Sequence, residues 1–202
     1  MDLNLQPEQC ALVMVECQGG VVGAQSTLPA LAAEAAPMLE ALGKLAAVAR
    51  GTGVTVVHLL YSPLAGNRSS NRKSVLFSRL LHLQDDWQQG TPETMPVPEI
   101  GVGPDDLLLT RHQGLSPTYG TETFKVLRNL GIDTIVLGGV STNIALPAVS
   151  VEAVDEGFRV VIPRDATAGT PASHHESMLT HTLPFVATMT GADDVIAAWH
   201  AG

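Results

Sequence analysis

A regular alternation of short, continuously apolar, β-branched runs with longer stretches of helical spacing constrains this chain more than any other feature. Cys10 to Val15 (C-A-L-V-M-V) contains no polar residue, as expected of a strand buried on both faces. Residues 37–50 then repeat apolar side chains at Met38, Leu39, Leu42, Leu45, Ala46 and Ala49, opening on a proline suited to a first turn and closing near Gly51. Further strands are expected at 54–60, 106–110, 134–137, 158–162 and 185–189. Helices are expected at 121–130, 143–156, 173–181 (capped by Ser173) and 192–199. Strands and helices in this order prescribe βαβ units. The expectation is an α/β fold, one domain over residues 1–202. It is a three-layer αβα sandwich around a doubly wound, mainly parallel, six-stranded Rossmann-like sheet.

Only residues 61–105 break the rhythm, and a segment of that length reads as a lid, a binding loop or an oligomer contact. The 202 residues are 45% hydrophobic and 15% charged, with a net charge of −9. An acidic chain lacks the basic footprint that nucleic acid or an anionic membrane requires. High apolar content with low charge points to surface covered by another subunit, hence a homodimer or homotetramer. Cys10 and Cys17 are too few for a disulfide scaffold and suit a reducing compartment. The first residues carry neither a basic nor an apolar leader segment, so the expected location is cytoplasmic.

Ligands of doubly wound sheets bind beyond the carboxyl ends of the strands, so the residues after each strand sample the site. Here they are Glu16-Cys17-Gln18-Gly19-Gly20, Tyr61-Ser62-Pro63, Arg111-His112-Gln113, Gly138 to Asn143 and Pro163-Arg164-Asp165. Gly19, Gly20 and Gly23 do not fit G-x-G-x-x-G, and there is no P-loop motif. The seven histidines show no H-E-x-x-H spacing, so neither a metal nor another cofactor is expected. Gly139-Val140-Ser141-Thr142-Asn143 is superficially like a G-x-S-x-G nucleophile elbow, with Asp165 and His174 or His175 in the right chain order. Asn143 in place of the last glycine would crowd that turn. The plainer role of Ser141 and Thr142 is to cap the helix that follows.

The stretch V-L-G-G-V-S-T-N-I-A-L-P-A-V-S-V-E-A-V-D-E-G-F-R-V-V-I-P-R-D-A-T-A (136–168) resembles the isochorismatase-like hydrolase superfamily. In that family a G-V-x-T-N-x-C turn precedes a helix, and the next strand ends in D-A. A-L-V-M-V-E-C-Q (11–18) resembles the family's strand ending in D-x-Q, and L-S-P-T-Y-G-T (115–121) its S-x-F-x-G-T segment. The resemblance spans nearly the whole chain outside 61–105. It implies a site built from an Asp, a Lys and a nucleophilic Cys, and this chain departs at all three positions. Glu16 stands at the Asp position, Arg111 or His112 at the Lys position, and Ala145 at the Cys position.

Thiolate catalysis is therefore not supported. The resemblance is better to true isochorismatases, which also lack the cysteine and use a protonated carboxyl to deliver a proton to an enol-ether carbon. It further implies a cis peptide at Val140–Ser141, with the N–H groups of Ser141 and Ala145 facing an oxyanion. The candidate substrate-binding residues are Gln18, Tyr61, Tyr119, Val140, Ser141, Thr142 and Asn143. Cys17 should face away from Glu16, by strand alternation, as a core thiol. The leading expectation is a hydrolase of a small anionic metabolite, with Glu16 as acid/base and Arg111 or His112 orienting the anion. Its competitors are a non-catalytic member that binds a small molecule in the same pocket and, further behind, a Ser141-dependent hydrolase.

Overall fold

The computed structural model describes residues 3–70 and 72–202. Met1 and Asp2, part of the N-terminal stretch read for a leader, lie outside them, as does Asn71 of the long segment. Among the described residues, seven strands form one parallel sheet: β1 (Cys10–Val15), β2 (Thr55–Tyr61), β3 (Leu107–Arg111), β4 (Thr134–Val140), β5 (Arg159–Pro163), β6 (Thr167–Ala168) and β7 (Thr188–Thr190). Their order is β3-β2-β1-β4-β5-β7, with β6 beside the upper half of β4. The helices are α1 (Gly19–Val22), α2 (Pro29–Thr52), α3 (Val75–Leu80), α4 (Thr123–Asn129), α5 (Ala145–Asp155), α6 (Ala172–His181) and α7 (Ala192–Ala201).

Several of the sequence expectations need correction, among them the last strand, which starts at Thr188 and not at 185. The sheet has seven strands rather than six, because β6 is only two residues long and no periodicity can reveal it. It forms where β5, which pairs Thr134–Val136 of β4, turns away through residues 164–166 and Thr167–Ala168 takes its place against Gly139–Val140. The long helix begins at Pro29 instead of Pro37. Leu31 and Ala35 continue the buried stripe backward, so packing outweighs the bond that an interior proline removes. Similarly, α6 starts at Ala172 behind Pro171, and Ser173 does not cap it.

Alternation along β1 divides the core. Ala11, Val13 and Val15 pack with Phe124 and Leu127 of α4, Leu146 and Val149 of α5 and Leu179 of α6. Leu12 and Met14 pack on the opposite face with Met38, Leu42 and Leu45 of α2 and Val195 and Trp199 of α7. Each such leucine or valine contributes about 1.5–3 kcal/mol by leaving water. The chain runs outward from β1 through β2 to β3 and then returns to the other side of β1 as β4. That reversal opens a crevice beyond the ends of β1 and β4. Among the described residues, no helix is long and apolar enough to cross a membrane.

The 61–105 segment is stitched to the end of β1. Gly19 and Gly20 donate to the carbonyls of Met95 and Glu93, and Val97 donates to that of Cys17. A Cβ on Gly20 would lie 2.1 Å from the Trp87 ring, and one on Gly19 would lie 2.3 Å from the Pro92 carbonyl oxygen. The glycine pair therefore serves close approach to the long segment. At the opposite end of the sheet, the buried carboxylate of Asp106 accepts from Arg50 at 2.7 Å, His58 at 2.9 Å and the Gly103 N–H at 2.9 Å. Burial alone would raise its pKa. The bonds from Arg50, Gly103 and His58, with the Arg50 charge, outweigh that and hold it at about 2.

Two outcomes follow from this packing. Gly20→Ala should lose about 1–3 kcal/mol and shift Trp87 emission to the red, because the methyl group displaces the indole; urea titration and fluorescence would check this, and an unchanged midpoint would refute it. Asp106, held at about 2 against an ordinary 3.8, contributes stability that is complete above about pH 5 and is lost as pH falls toward 2. The amount is about 2 kcal/mol. Asp106→Asn should flatten stability across that window, and an unaltered acid slope in urea titrations would count against it.

Candidate active site

Three neighbouring strand ends build one side of the crevice. β1 stops at Val15 because Glu16 turns into the left-handed region (φ 53), while its N–H donates to the Leu59 carbonyl at 2.9 Å. A positive φ at a non-glycine residue persists only where its surroundings enforce it, and such residues cluster at functional sites. Tyr61 closes β2 and lies in register with Arg111, which closes β3. The Arg111 guanidinium lies 5.0 Å from the Tyr61 ring centroid and reaches past it to pair with the Glu16 carboxylate through Nη2. This joins a cation–π contact to an ion pair with side chains only 7% and 19% exposed.

Gln18 holds that side in place. Its Oε1 accepts from the Tyr61 N–H at 2.7 Å, and its Nε2 donates to the carbonyls of Tyr61 at 2.8 Å and Glu93 at 2.9 Å. The side chain is fully buried and all its reach is spent on backbone. Gln18 thus positions the site without lining it. The Tyr61 hydroxyl meets Ser70, its ring stacks on Phe77, and burial pushes the phenol upward.

The facing side is the turn from β4 into α5. Gly139, at φ 104, leaves no room for a Cβ, which would lie 2.3 Å from the Val15 carbonyl oxygen. The Val140–Ser141 peptide is cis. The Thr142 N–H donates to Ala168, and its hydroxyl meets His175 Nδ1 at 3.0 Å. Asn143 uses its amide on the Thr170 backbone, accepting at 3.1 Å and donating at 2.7 Å. The Leu146 N–H donates to Ser141 O and starts the helix, with Ala145 in its first turn. The first-turn N–H groups of a helix have no partner within it and favour an anion.

Between the two sides lies a cavity of about 290 Å³. Glu16, Tyr61, Arg111, Ser141, Asn143 and Ala145 line it, so the structure brings together six of the residues singled out from sequence. The others are placed elsewhere. His112 is bound through Nδ1 to the Ser62 carbonyl at 2.7 Å and lines a neighbouring groove, so it is Arg111 that meets Glu16. Tyr119 is 81% exposed and shares that outer groove. Val140 and Thr142 are fully buried, the former in the core. The elbow geometry does not assemble: His175 bonds Thr142, and Asp165 caps α7 through the Ala192 N–H.

Sequence reasoning missed the cavity's remaining lining, notably Leu76, Phe77, Leu80 and Gln84 from the long segment and Leu28 and Leu31 near the start of α2. The i, i+4 pair Leu76 and Leu80 is the signal that could have revealed α3. Cys17 packs in the core beside Val140, its Sγ donating to the Val15 carbonyl. Burial, with the neighbouring Glu16 charge, drives its pKa far above the ordinary thiol range, and burial raises Cys10 to about 11. Native protein should therefore resist iodoacetamide at pH 8, and both thiols should label only in denaturant. Rapid native alkylation of Cys17, read by intact mass, would refute this.

The family model "Isochorismatase domain" matches residues 10–194. An uncharacterized isochorismatase family protein of Escherichia coli O157:H7, YecD, is 29% identical over 200 residues, covering 97% of this chain and 99% of its own. A maleamate amidohydrolase of Pseudomonas putida is 27% identical over 171 residues, covering 84% and 76%. Among solved structures, an isochorismatase family protein from Burkholderia thailandensis superposes with a TM-score of 0.79 at 25% identity, covering 98% of each chain. A cysteine hydrolase from Pseudomonas syringae pv. phaseolicola shares the fold with a TM-score of 0.82 at 18% identity, covering 98% and 95%. With the family model spanning residues 10–194 of its 202, this chain belongs to the isochorismatase family.

Proposed function

We propose that this protein hydrolyses a small anionic metabolite without a covalent cysteine intermediate, with Glu16 as acid/base and Arg111 binding the anion. The observation that carries the reading is the Glu16–Arg111 pair facing one cavity with an alanine, Ala145, at the family's nucleophile position. In the resting site the guanidinium compensates the Glu16 charge. A substrate carboxylate that binds Arg111 brings a second negative charge to the site, and two carboxylates sharing a site favour the protonation of one of them. Protonated Glu16 can then deliver the proton to an enol-ether carbon; water adds to the resulting oxocarbenium ion and gives a proton back to the Glu16 carboxylate, and the hemiketal collapses by C–O cleavage to a carbonyl compound and an alcohol. The N–H groups of Ser141 and Ala145 and the start of α5 supply donors for an oxyanion or the anionic group. The relative named maleamate amidohydrolase acts on a small carboxylate, which agrees with an anionic substrate.

A second reading has one observation in its favour: a buried ion pair between Glu16 and Arg111 is also what a purely structural role would produce. In that reading the chain binds a small molecule and does not transform it. We further propose a homodimer or homotetramer, a reading supported by the exposed Ile144, Val151 and Val154 on and beside α5. Turnover measured by mass spectrometry against enol ethers, amides and ureido acids separates the enzymatic reading from the binding one. Glu16→Gln should abolish turnover, by at least a hundredfold, and lower the melting temperature because Arg111 is left buried without its partner, while the folded state survives at assay temperature by circular dichroism. Retained activity in the variant would overturn the role of Glu16. Ligand-dependent stabilisation with no product in either protein would establish the binding reading.

A further inference from the structure

Two residues that line the cavity carry buried polar atoms whose hydrogen-bonding capacity is unmet. Arg111 spends Nη2 on Glu16 and points Nε toward the Gly114 carbonyl at 3.4 Å, but its Nη1 is buried with no partner. Gln84, which follows α3, is 5% exposed and leaves its Oε1 buried and unpartnered. Both residues line the cavity, and Gln84 comes from the long segment. An unpaired polar atom in an apolar interior is destabilising unless something bonds it. Around the two lies an apolar lining that includes Val21, Leu28, Leu31, Leu76, Phe77 and Leu115. A ligand that fits this pattern has three parts: an acceptor, best an anion, for Nη1; an apolar body; and a hydrogen-bond donor for Oε1. At ~30 Å³ per water-sized group, a 290 Å³ cavity admits about ten non-hydrogen atoms.

We propose that Gln84 is a specificity-determining residue: it selects, among small anions with an apolar body, those that carry an N–H or O–H donor. The proposal rests on the reading of the cavity as an anion-binding site anchored by Arg111. A site built to bond a polar group rejects an analogue that lacks it, because the protein's own group is then left buried and unpaired. Apolar pockets discriminate far less by size alone. The glutamine thus accounts for a polar atom that neither the sheet-end machinery nor the packing of α3 uses.

The test uses matched probes and isothermal titration calorimetry on the full chain. The 3- and 4-aminobenzoates carry anion and donor, the 3- and 4-methylbenzoates are near-isosteres without the donor, and the corresponding aminobenzamides lack the charge. The better aminobenzoate should bind about five- to tenfold more tightly than its methyl counterpart, the worth of one neutral hydrogen bond. Gln84→Leu should reverse that order while melting no lower than wild type, since it removes a buried unpaired acceptor. Gln84→Met provides a second apolar variant should leucine fail to pack. Equal affinity for amino and methyl probes, an unchanged preference in the variants, or no binding of any probe to wild type would overturn the proposal. If the neutral amides bind as tightly as the carboxylates, the anion site at Arg111 fails instead. Carboxylate dependence without Gln84 dependence sinks only the role of Gln84.

Discussion

The site depends on one buried ion pair laid across three strand ends. Arg111 of β3 must cross β2 to reach Glu16 beyond β1, and it does so over the face of Tyr61. Taking a guanidinium and a carboxylate out of water costs several kcal/mol each, and their attraction offsets this only when the geometry is held. The ring supplies a favourable face for the cation on the way, and the left-handed turn at Glu16 aims the carboxylate back toward it. A lysine would not serve in the same manner. The flat guanidinium can stack on the ring, pair through one nitrogen and keep another for a further partner, whereas an ammonium is a single strongly hydrated charge. Arg111 therefore gives this place a chemistry that a lysine would not.

Because the pair is fixed by three strands, whatever holds those strands in register also sets the site. Gln18 does most of this by bonding the backbone of Tyr61 on both sides while anchoring Glu93. The same few residues tie the long segment down, since Cys17, Gly19 and Gly20 bond Val97, Met95 and Glu93. Through these contacts the end of β1 organises both the charged wall of the cavity and the segment that carries Phe77 and Gln84. The far end of the sheet has its own clamp in Arg50, Asp106 and His58, which secures the approach to β3 where Arg111 begins its reach.

Strand and helix alternation made the α/β fold legible, and the unbroken apolarity of Cys10–Val15 marked the central strand. Periodicity could not show β6, whose two residues carry no period, or extend α2 through Pro37, where a local penalty is overcome by long-range packing. For the site, reading the residues after each strand gathered Glu16, Tyr61, Arg111 and Ser141. It could not choose between Arg111 and His112, because adjacent residues at a strand end point to opposite sides and only the true end of β3 decides. Gln18 and Thr142 were singled out as ligand contacts because polar residues near a crevice attract that reading. Their hydrogen bonds go to the protein instead, a partition invisible without the partners. Gln84 was missed for the opposite reason: it lies in a stretch with no periodic frame to fix its direction.

The absence of a thiol at position 145 alters what the rest of the crevice is for. A helix start next to a cysteine lowers the thiol's pKa and favours the thiolate. With Ala145 there, the positive end of α5 has no anion of its own, and Arg111 retains one unpartnered nitrogen facing the same general demand. The Glu16 carboxylate is a single negative charge set against these two sources of positive potential. The balance invites a second anion, and in the proposed reaction that anion is the substrate. Its arrival places two carboxylates beside one guanidinium, an arrangement in which one of them takes up a proton. In that proposed reaction Glu16, the carboxylate built into the protein, is the acid.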